Sequence, residues 1–149
     1  MGIVVRKAKN KDMLPIQRLV AKAGLRDEGI EQYIESFLVV EDEEESLIGT
    51  VGVEKYEESG LLRSLVLDSP IWNAKLSLEF LQLTLKYAEE QHIETVYLCA
   101  KGTNALFRQL GFREVDKEDV PETLKHSEHF KRNATEKAEA KVWACELTE

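Results

Sequence analysis

Gly60-Leu61-Leu62-Arg63-Ser64-Leu65-Val66-Leu67, a short loop, and then the stretch from about Ala74 to Gln91 decide the fold of this chain. The first segment is apolar almost throughout, with Arg63 as its one charge. A strand with apolar side chains on both faces has both faces covered, so it belongs at the centre of a sheet. In the second segment Leu76, Phe80, Leu83 and Tyr87 form one stripe at helical spacing, and Leu78, Leu81, Leu85 and Ala88 form another on the opposite side. Only a strip with Glu79, Gln82 and Lys86 is consistently polar. That pattern predicts a helix packed between layers.

Towards the N-terminus, Phe37-Leu38-Val39-Val40 reads as a buried strand, joined through Glu41-Asp42-Glu43-Glu44-Glu45 to a second strand over Ser46–Val53. The five acidic residues fit a solvated hairpin tip, because like charges resist packing; attraction for a cationic partner is the other reading. Ile3-Val4-Val5 opens a short strand, and Asp12 is placed to cap a helix with Pro15 in its first turn. Met13, Ile16, Leu19, Val20 and Ala23 share one face of that helix, and Gly24 ends it. A second short helix fits Glu28 to Ser36.

Towards the C-terminus, Thr95–Cys99 is a strand, Thr103 can cap a helix running to Leu110, and Gly111 supplies its stop. Phe112–Val115 is extended, Pro121 suits the first turn of a helix towards Phe130, and alternation over Ala140–Leu147 gives a closing strand. With no internal repeat and no linker, the expectation is one α/β domain over residues 1–149, a mixed sheet covered by helices on both faces. In such sheets ligands bind beyond the carboxyl ends of strands, here the end of Leu61–Leu67 and the start of the long helix.

Composition narrows the partners. The net charge is −8, which argues against nucleic acid, since phosphate binding draws on clustered Lys and Arg. No apolar run approaches the ~18 residues of a membrane span. Met1-Gly2-Ile3-Val4-Val5-Arg6 turns charged too early for a signal peptide, and Arg6 stands where a myristoylation signal wants Ser or Thr. Cys99 and Cys145 form no C-x-x-C pair and read as buried, reduced thiols in a cytoplasmic protein. His126 and His129 are three apart with no third ligand evident, so no metal site is expected. Trp143 reads as packing, in the core or at an interface, with substrate stacking as its alternative.

Taken with Ala105-Leu106-Phe107-Arg108-Gln109-Leu110-Gly111-Phe112-Arg113, the deciding strand and helix resemble the GNAT acyltransferases over nearly the whole chain. Val51-Gly52-Val53-Glu54, Leu62-Arg63-Ser64-Leu65, Tyr97-Leu98, and Val120-Pro121-Glu122 followed by Ser127 and Phe130 are similar to the branch of N-acetylglutamate synthase-like proteins and arsinothricin N-acetyltransferases. The resemblance implies a mixed, mostly antiparallel sheet, acetyl-CoA as cofactor and a small-molecule amine as acceptor. It also makes a homodimer a candidate assembly, since GNAT domains often pair.

In that family the cofactor is gripped mainly by backbone. The matching positions are Leu65, Val66 and Leu67 on the strand, then Trp72, Asn73, Ala74, Lys75, Leu76 and Ser77 at the loop and helix start, with Asn104 and Phe107 on the later helix. Helix N-termini bind anions through unsatisfied N–H groups, and glycine there permits close approach. This chain departs from the motif [Gln/Arg]-x-x-Gly-x-[Gly/Ala]. Trp72 stands for the Gln or Arg, Lys75 for the glycine and Ser77 for the last small residue. Phe107 falls where many members have a tyrosine acid.

For catalysis, Glu54 is the candidate base, directly or through water, or else an exposed strand-end carboxylate. An oxyanion would rest on a backbone N–H near Leu67. Arg63 would orient the carboxylate of an amino-acid-like substrate, or make an internal salt bridge. Two functions therefore stand side by side: an N-acetyltransferase acting on a small, amino-acid-like amine, and a catalytically inactive GNAT-like module that has lost CoA and works by association. A third reading puts another acyl or anionic ligand in the place of CoA.

Overall fold

Phe37 and Gly52 show how the first part of the sheet is built. Strand β2 (Phe37–Glu41) pairs antiparallel with β3 (Leu47–Tyr56), and Phe37 lies directly opposite Gly52. A Cβ on Gly52 would sit 2.6 Å from Cζ of the Phe37 ring, so the ring occupies the space that any other residue would need. The structure, a computed structural model, describes residues 3–25, 30–68, 73–100, 105–127, 130–131 and 141–147. The remaining strands within them are β1 (Val4–Lys7), β4 (Ser59–Leu67), β5 (Thr95–Ala100), β6 (Arg113–Val115) and β7 (Lys141–Glu146). Together they form one seven-stranded sheet in the order β1-β2-β3-β4-β5-β7-β6. β4 and β5 run parallel while β1/β2, β2/β3, β5/β7 and β6/β7 are antiparallel, which is the mixed, mostly antiparallel sheet expected.

The chain packs as two units, Met1–Glu54 with Leu62–Phe80, and Lys55–Leu61 with Leu81–Glu149. In the first, helix α1 (Met13–Lys22) lays Ile16, Leu19 and Val20 on Phe37 and Val39 of β2 and Val66 of β4. Ile30 of the short helix α2 (Ile30–Tyr33) and Ile34 of the following 3-10 turn complete that cluster. Gly24, at φ +77°, ends α1 as expected. Asp12 does not cap α1 through its side chain. It is buried, and its carboxylate instead accepts two bonds from the Arg6 guanidinium, at 2.8 and 2.9 Å, and one from the Lys9 N–H at 2.7 Å. Arg6 also pairs with Glu41, so one member of the acidic run is not at the solvated tip. The tip itself is a tight turn, in which Asp42 Oδ1 accepts the Glu44 and Ser46 N–H groups at 2.9 Å and Glu43 to Glu45 are exposed.

In the second unit β7 pairs with β5 along its whole length, from Thr95↔Glu146 to Ala100↔Lys141. Side chains directly opposite across an antiparallel pair share a face, so Leu98 and Trp143 lie on one side and Cys99 and Val142 on the other. Val142 packs with Leu61, Val120, Phe130 and Leu124, the last from helix α5 (Glu122–Lys125). Trp143 is core, 1% exposed. Cys145 is buried but Cys99 only partly so; both are unpaired, and burial pushes the Cys99 thiol up to about 11.

Helix α3 (Ala74–Glu90) corrects one expectation. Its buried residues Phe80, Leu81, Thr84 and Ala88 follow a single face, and Leu83 is 50% exposed. Leu76, Leu78, Leu85 and Tyr87 are half-buried. The covered face therefore lies between the two apolar stripes, each of which contributes to it (Phe80 from one, Leu81 and Ala88 from the other) while the rest of both stripes lies along its margins.

Candidate functional site

Strand β4 is regular to Leu62 and then changes character. Its parallel ladder with β5 covers Ser59↔Thr95, Gly60↔Val96 and Leu61↔Tyr97, although β4 runs on to Leu67. Ser64 sits at φ +55°, in the left-handed region that costs a non-glycine residue roughly 1–2 kcal/mol. A regular strand would send the side chains of residues 63 and 64 to opposite faces. Here the turn in the backbone lets Arg63 Nε donate to Ser64 Oγ at 3.1 Å, and both residues are buried.

The same guanidinium reaches across to β3. Arg63 Nη1 donates to Glu54 Oε2 at 2.7 Å, with the two side chains 4% and 2% exposed. Glu54 is therefore not an exposed strand-end carboxylate. It lies inside β3, on the same face as Gly52 by alternation, and is sealed from water. Both candidate catalytic residues are thus brought together as one buried ion pair, held by a serine that sequence reasoning did not single out. Stripping two such charges of water costs several kcal/mol per ion, which their attraction offsets only with good geometry and further hydrogen bonds. Ser64 and the short Arg63–Glu54 contact supply part of that compensation.

Beyond the pair, Val66 points into the core, while Leu65 and Leu67 are half-buried and the Asp68 N–H donates to Ile48 O at 2.7 Å. At the start of α3, Asn73 is the capping residue. Its Oδ1 accepts the Leu76 N–H at 2.9 Å and its carbonyl accepts the Ser77 N–H at 3.0 Å. The Lys75 side chain is exposed, and Leu76 and Ser77 are half-buried. Trp72, Asn104 and the Ala74 side chain lie outside the described residues, as do Thr103, His129 and the start proposed for a helix at Glu28.

Phe107, in helix α4 (Ala105–Gln109) of the second unit, is buried edge-on against Phe112 with ring centroids 5.7 Å apart. It has no proton to give. Gly111, at φ +101°, ends that turn and brings Leu110 O to 3.7 Å from Cys145 Sγ. Arg108 places its guanidinium 5.4 Å from the Trp143 ring centroid, while the indole Nε1 of Trp143 is buried with no hydrogen-bond partner among the described residues. Also among the described residues, no group of three or more His, Cys, Asp or Glu is arranged to hold a metal ion, and no helix is long and apolar enough to cross a membrane.

At the α3 start, where a glycine-rich turn would leave the backbone bare for a diphosphate, the Leu76 N–H is bonded to Asn73 Oδ1 and Lys75 carries an exposed side chain.

No family model matches the chain. The uncharacterized protein YwlB of Bacillus subtilis (strain 168) is 32% identical over 129 residues, which is 85% of this chain and 86% of YwlB. Among solved structures, N-acetylglutamate synthase from Neisseria gonorrhoeae, complexed with coenzyme A and N-acetyl-glutamate, superposes with a TM-score of 0.81 at 17% identity. All of this chain matches, but it spans only 36% of that enzyme. Rv2747 from Mycobacterium tuberculosis, in complex with CoA, gives a TM-score of 0.79 at 16% identity over 97% of this chain and 99% of that one. A GNAT-family acetyltransferase from Staphylococcus aureus Mu50 gives 0.74 at 18% identity, over 99% and 100% of the two chains. At these identities the solved structures establish a shared fold. The chain belongs to the family of YwlB, and its architecture is that of the GNAT acetyltransferases.

Proposed function

We propose that this protein is an N-acetyltransferase that moves an acetyl group from acetyl-CoA to the amine of a small, amino-acid-like substrate. The observation that carries this reading is the buried Glu54–Arg63 pair. Packing alone gives no reason to place an arginine and a glutamate at 4% and 2% exposure within apolar strands. Replacing such pairs with apolar residues is often neutral or stabilising, so retaining one points to a use.

Acetyl-CoA, when bound, supplies the acetyl thioester and its thiol leaving group. Arg63 holds the substrate carboxylate and is itself fixed by Glu54 and Ser64. Glu54 takes the proton of the attacking amine, directly or through a water that enters with the substrate. A backbone N–H near Leu67 meets the charge that develops on the carbonyl oxygen. Phe107 leaves the thiolate to depart without a tyrosine proton, which a thiolate of ordinary basicity can do.

The test is thiol release from acetyl-CoA in the presence of amino acids and their analogues. Glu54→Gln should lower kcat/KM by about 10² to 10⁴, the range of a general base. Arg63→Lys should raise KM for acceptors with a carboxylate more than for simple amines. Turnover that survives both changes, in protein shown to be folded, overturns this assignment.

A second reading is favoured by the α3 start and by Phe107, which together lack two features of acetyl-transfer sites: a non-catalytic GNAT-like module that acts by association. A thermal-shift titration separates the two. A saturable shift with acetyl-CoA, roughly 2.7 kcal/mol at a hundred times its Kd, supports the enzyme, and no shift at millimolar cofactor supports the module.

A further inference from the structure

We infer that Glu54 and Arg63 are coupled by charge balance: the acceptor's own carboxylate enables Glu54 to take a proton, and acceptors without one turn over slowly even when bound. This rests on the acetyl-transfer reading above and deepens it, because the carboxylate then takes part in the chemistry as well as in binding.

Among the described residues only Asp12, Glu54 and Arg63 are both charged and buried. Asp12 answers to Arg6, whose side chain is partly in water. Glu54 and Arg63 face each other at 2.7 Å with both ends sealed. In so dry a place a charge that loses its opposite has little water to answer it, which is why breaking a buried pair from one side is costly. When Glu54 takes a proton it becomes neutral, and Arg63 keeps its charge without the carboxylate that balanced it. At rest, therefore, the pair opposes the proton transfer that the reaction asks of it.

A substrate carboxylate reverses this. Brought to Arg63, it sets two negative charges beside one positive charge, and two carboxylates that share a site favour taking up a proton. Glu54 can then become neutral as the amine gives up its proton, while Arg63 keeps a full counter-charge in the substrate. The bond from Arg63 Nε to Ser64 Oγ, at 3.1 Å, runs to a neutral group and holds the guanidinium in place throughout. In the transfer a bond forms between the amine nitrogen and the acetyl carbon, and the carbon–sulfur bond breaks. The amine proton passes to Glu54, and the sulfur leaves as a thiolate that takes up that proton as the products depart. An acceptor that lacks the carboxylate offers the same nitrogen to the same thioester, but to a base that has been left in its resting pair.

The experiment uses the full native chain and measures thiol release from acetyl-CoA with the best amino-acid acceptor and with the amine of the same side chain that lacks the carboxylate. Each is run alone, with added acetate, and with chloride as the control for ionic strength. The expected result is a kcat for the bare amine lower by about 10² or more, the scale of a lost general base, which acetate raises roughly tenfold with saturation and chloride does not. Acetate should slow the amino acid, because both anions compete for Arg63. Equal kcat values within about threefold, with the bare amine losing only in KM, overturn the coupling and leave acetyl transfer standing with Arg63 as a binding anchor. A bare amine that acetate does not speed up also overturns it, whether or not that amine saturates, because the missing charge is then not the cause. If no acceptor of either kind releases thiol, the coupling and the acetyl-transfer reading fall together.

Discussion

Two arginines in the same unit meet carboxylates in opposite ways. Arg6 lies on the edge strand β1, with its side chain 20% exposed, and bridges Asp12 and Glu41. Arg63 lies on β4 at 4% exposure and is held by Glu54 and Ser64. Arg6 ties a strand to the turn that leads into α1, a mechanical task that needs no burial. Arg63 is driven into the dry part of the sheet at the cost of solvation and of a left-handed serine. The contrast teaches where to look for function: the arginine with a structural job stays partly in water although its partner Asp12 is buried, and the pair sealed at both ends is the one whose presence stability does not explain.

Breaking the sealed pair should have the largest effect. Arg63→Ala takes from the buried Glu54 its 2.7 Å ion-pair partner, and the loss measured by chemical denaturation should be roughly 3–5 kcal/mol. Exchanging both partners for apolar residues, as in Glu54→Met with Arg63→Leu, should restore most of that stability while abolishing acetyl transfer. Recovery of stability without activity sharpens the contrast, and recovery of both erases it. Next in size is Gly52→Ala, on the β3 face that Glu54 shares. The added carbon meets the Phe37 ring, and overpacking of that kind costs about 1–3 kcal/mol in the same measurement.

Arg6→Ala should cost about 1–3 kcal/mol at neutral pH, because it takes two hydrogen bonds from the buried Asp12 carboxylate, and should visibly change the acid limb of the stability profile. The Arg6 hydrogen bonds hold the Asp12 carboxyl below its usual range. Its contribution is therefore complete above the ordinary aspartate value near 4 and is lost as pH falls through the lower folded value. The variant should show a shallower decline below about pH 4, followed by thermal unfolding at successive pH values. An unchanged slope would mean that Asp12 is not the group titrating there. Smallest of all is Lys22→Ala, which removes a 2.9 Å contact with Asp68 between side chains 71% and 42% exposed, and should stay within about 0.5 kcal/mol.

Much of the fold was legible because it rests on local signals. The near-continuous apolar run of Leu61–Leu67 marked a central strand, Gly24 and Gly111 marked helix stops that both proved to have positive φ, and the acidic run marked a hairpin tip. Legibility failed where a residue's behaviour is set by distant neighbours. Nothing in Leu62-Arg63-Ser64-Leu65 announces that Ser64 turns left-handed, since serine has no preference for that region and only the surrounding burial imposes it. The pairing of Arg63 with Glu54 depends on how β3 and β4 are aligned, which no single segment encodes. Asp12 was read as a helix cap because capping is the commonest use of aspartate at that place, and the competing claim of Arg6 came from another strand. The double stripe of α3 reported hydrophobicity on two sides but not that the strip between them, around Thr84, would be the covered one, leaving Leu83 exposed.

The buried indole of Trp143 has an optical consequence. Its ring is dry, its N–H has no acceptor among the described residues, and the chain has just one other tryptophan, Trp72. An indole in such surroundings emits at the blue end of its range and moves to the red when water arrives. Replacing Trp72 with phenylalanine would leave a single-colour gauge for the unit that holds β5 and β7, readable in a cuvette without any label.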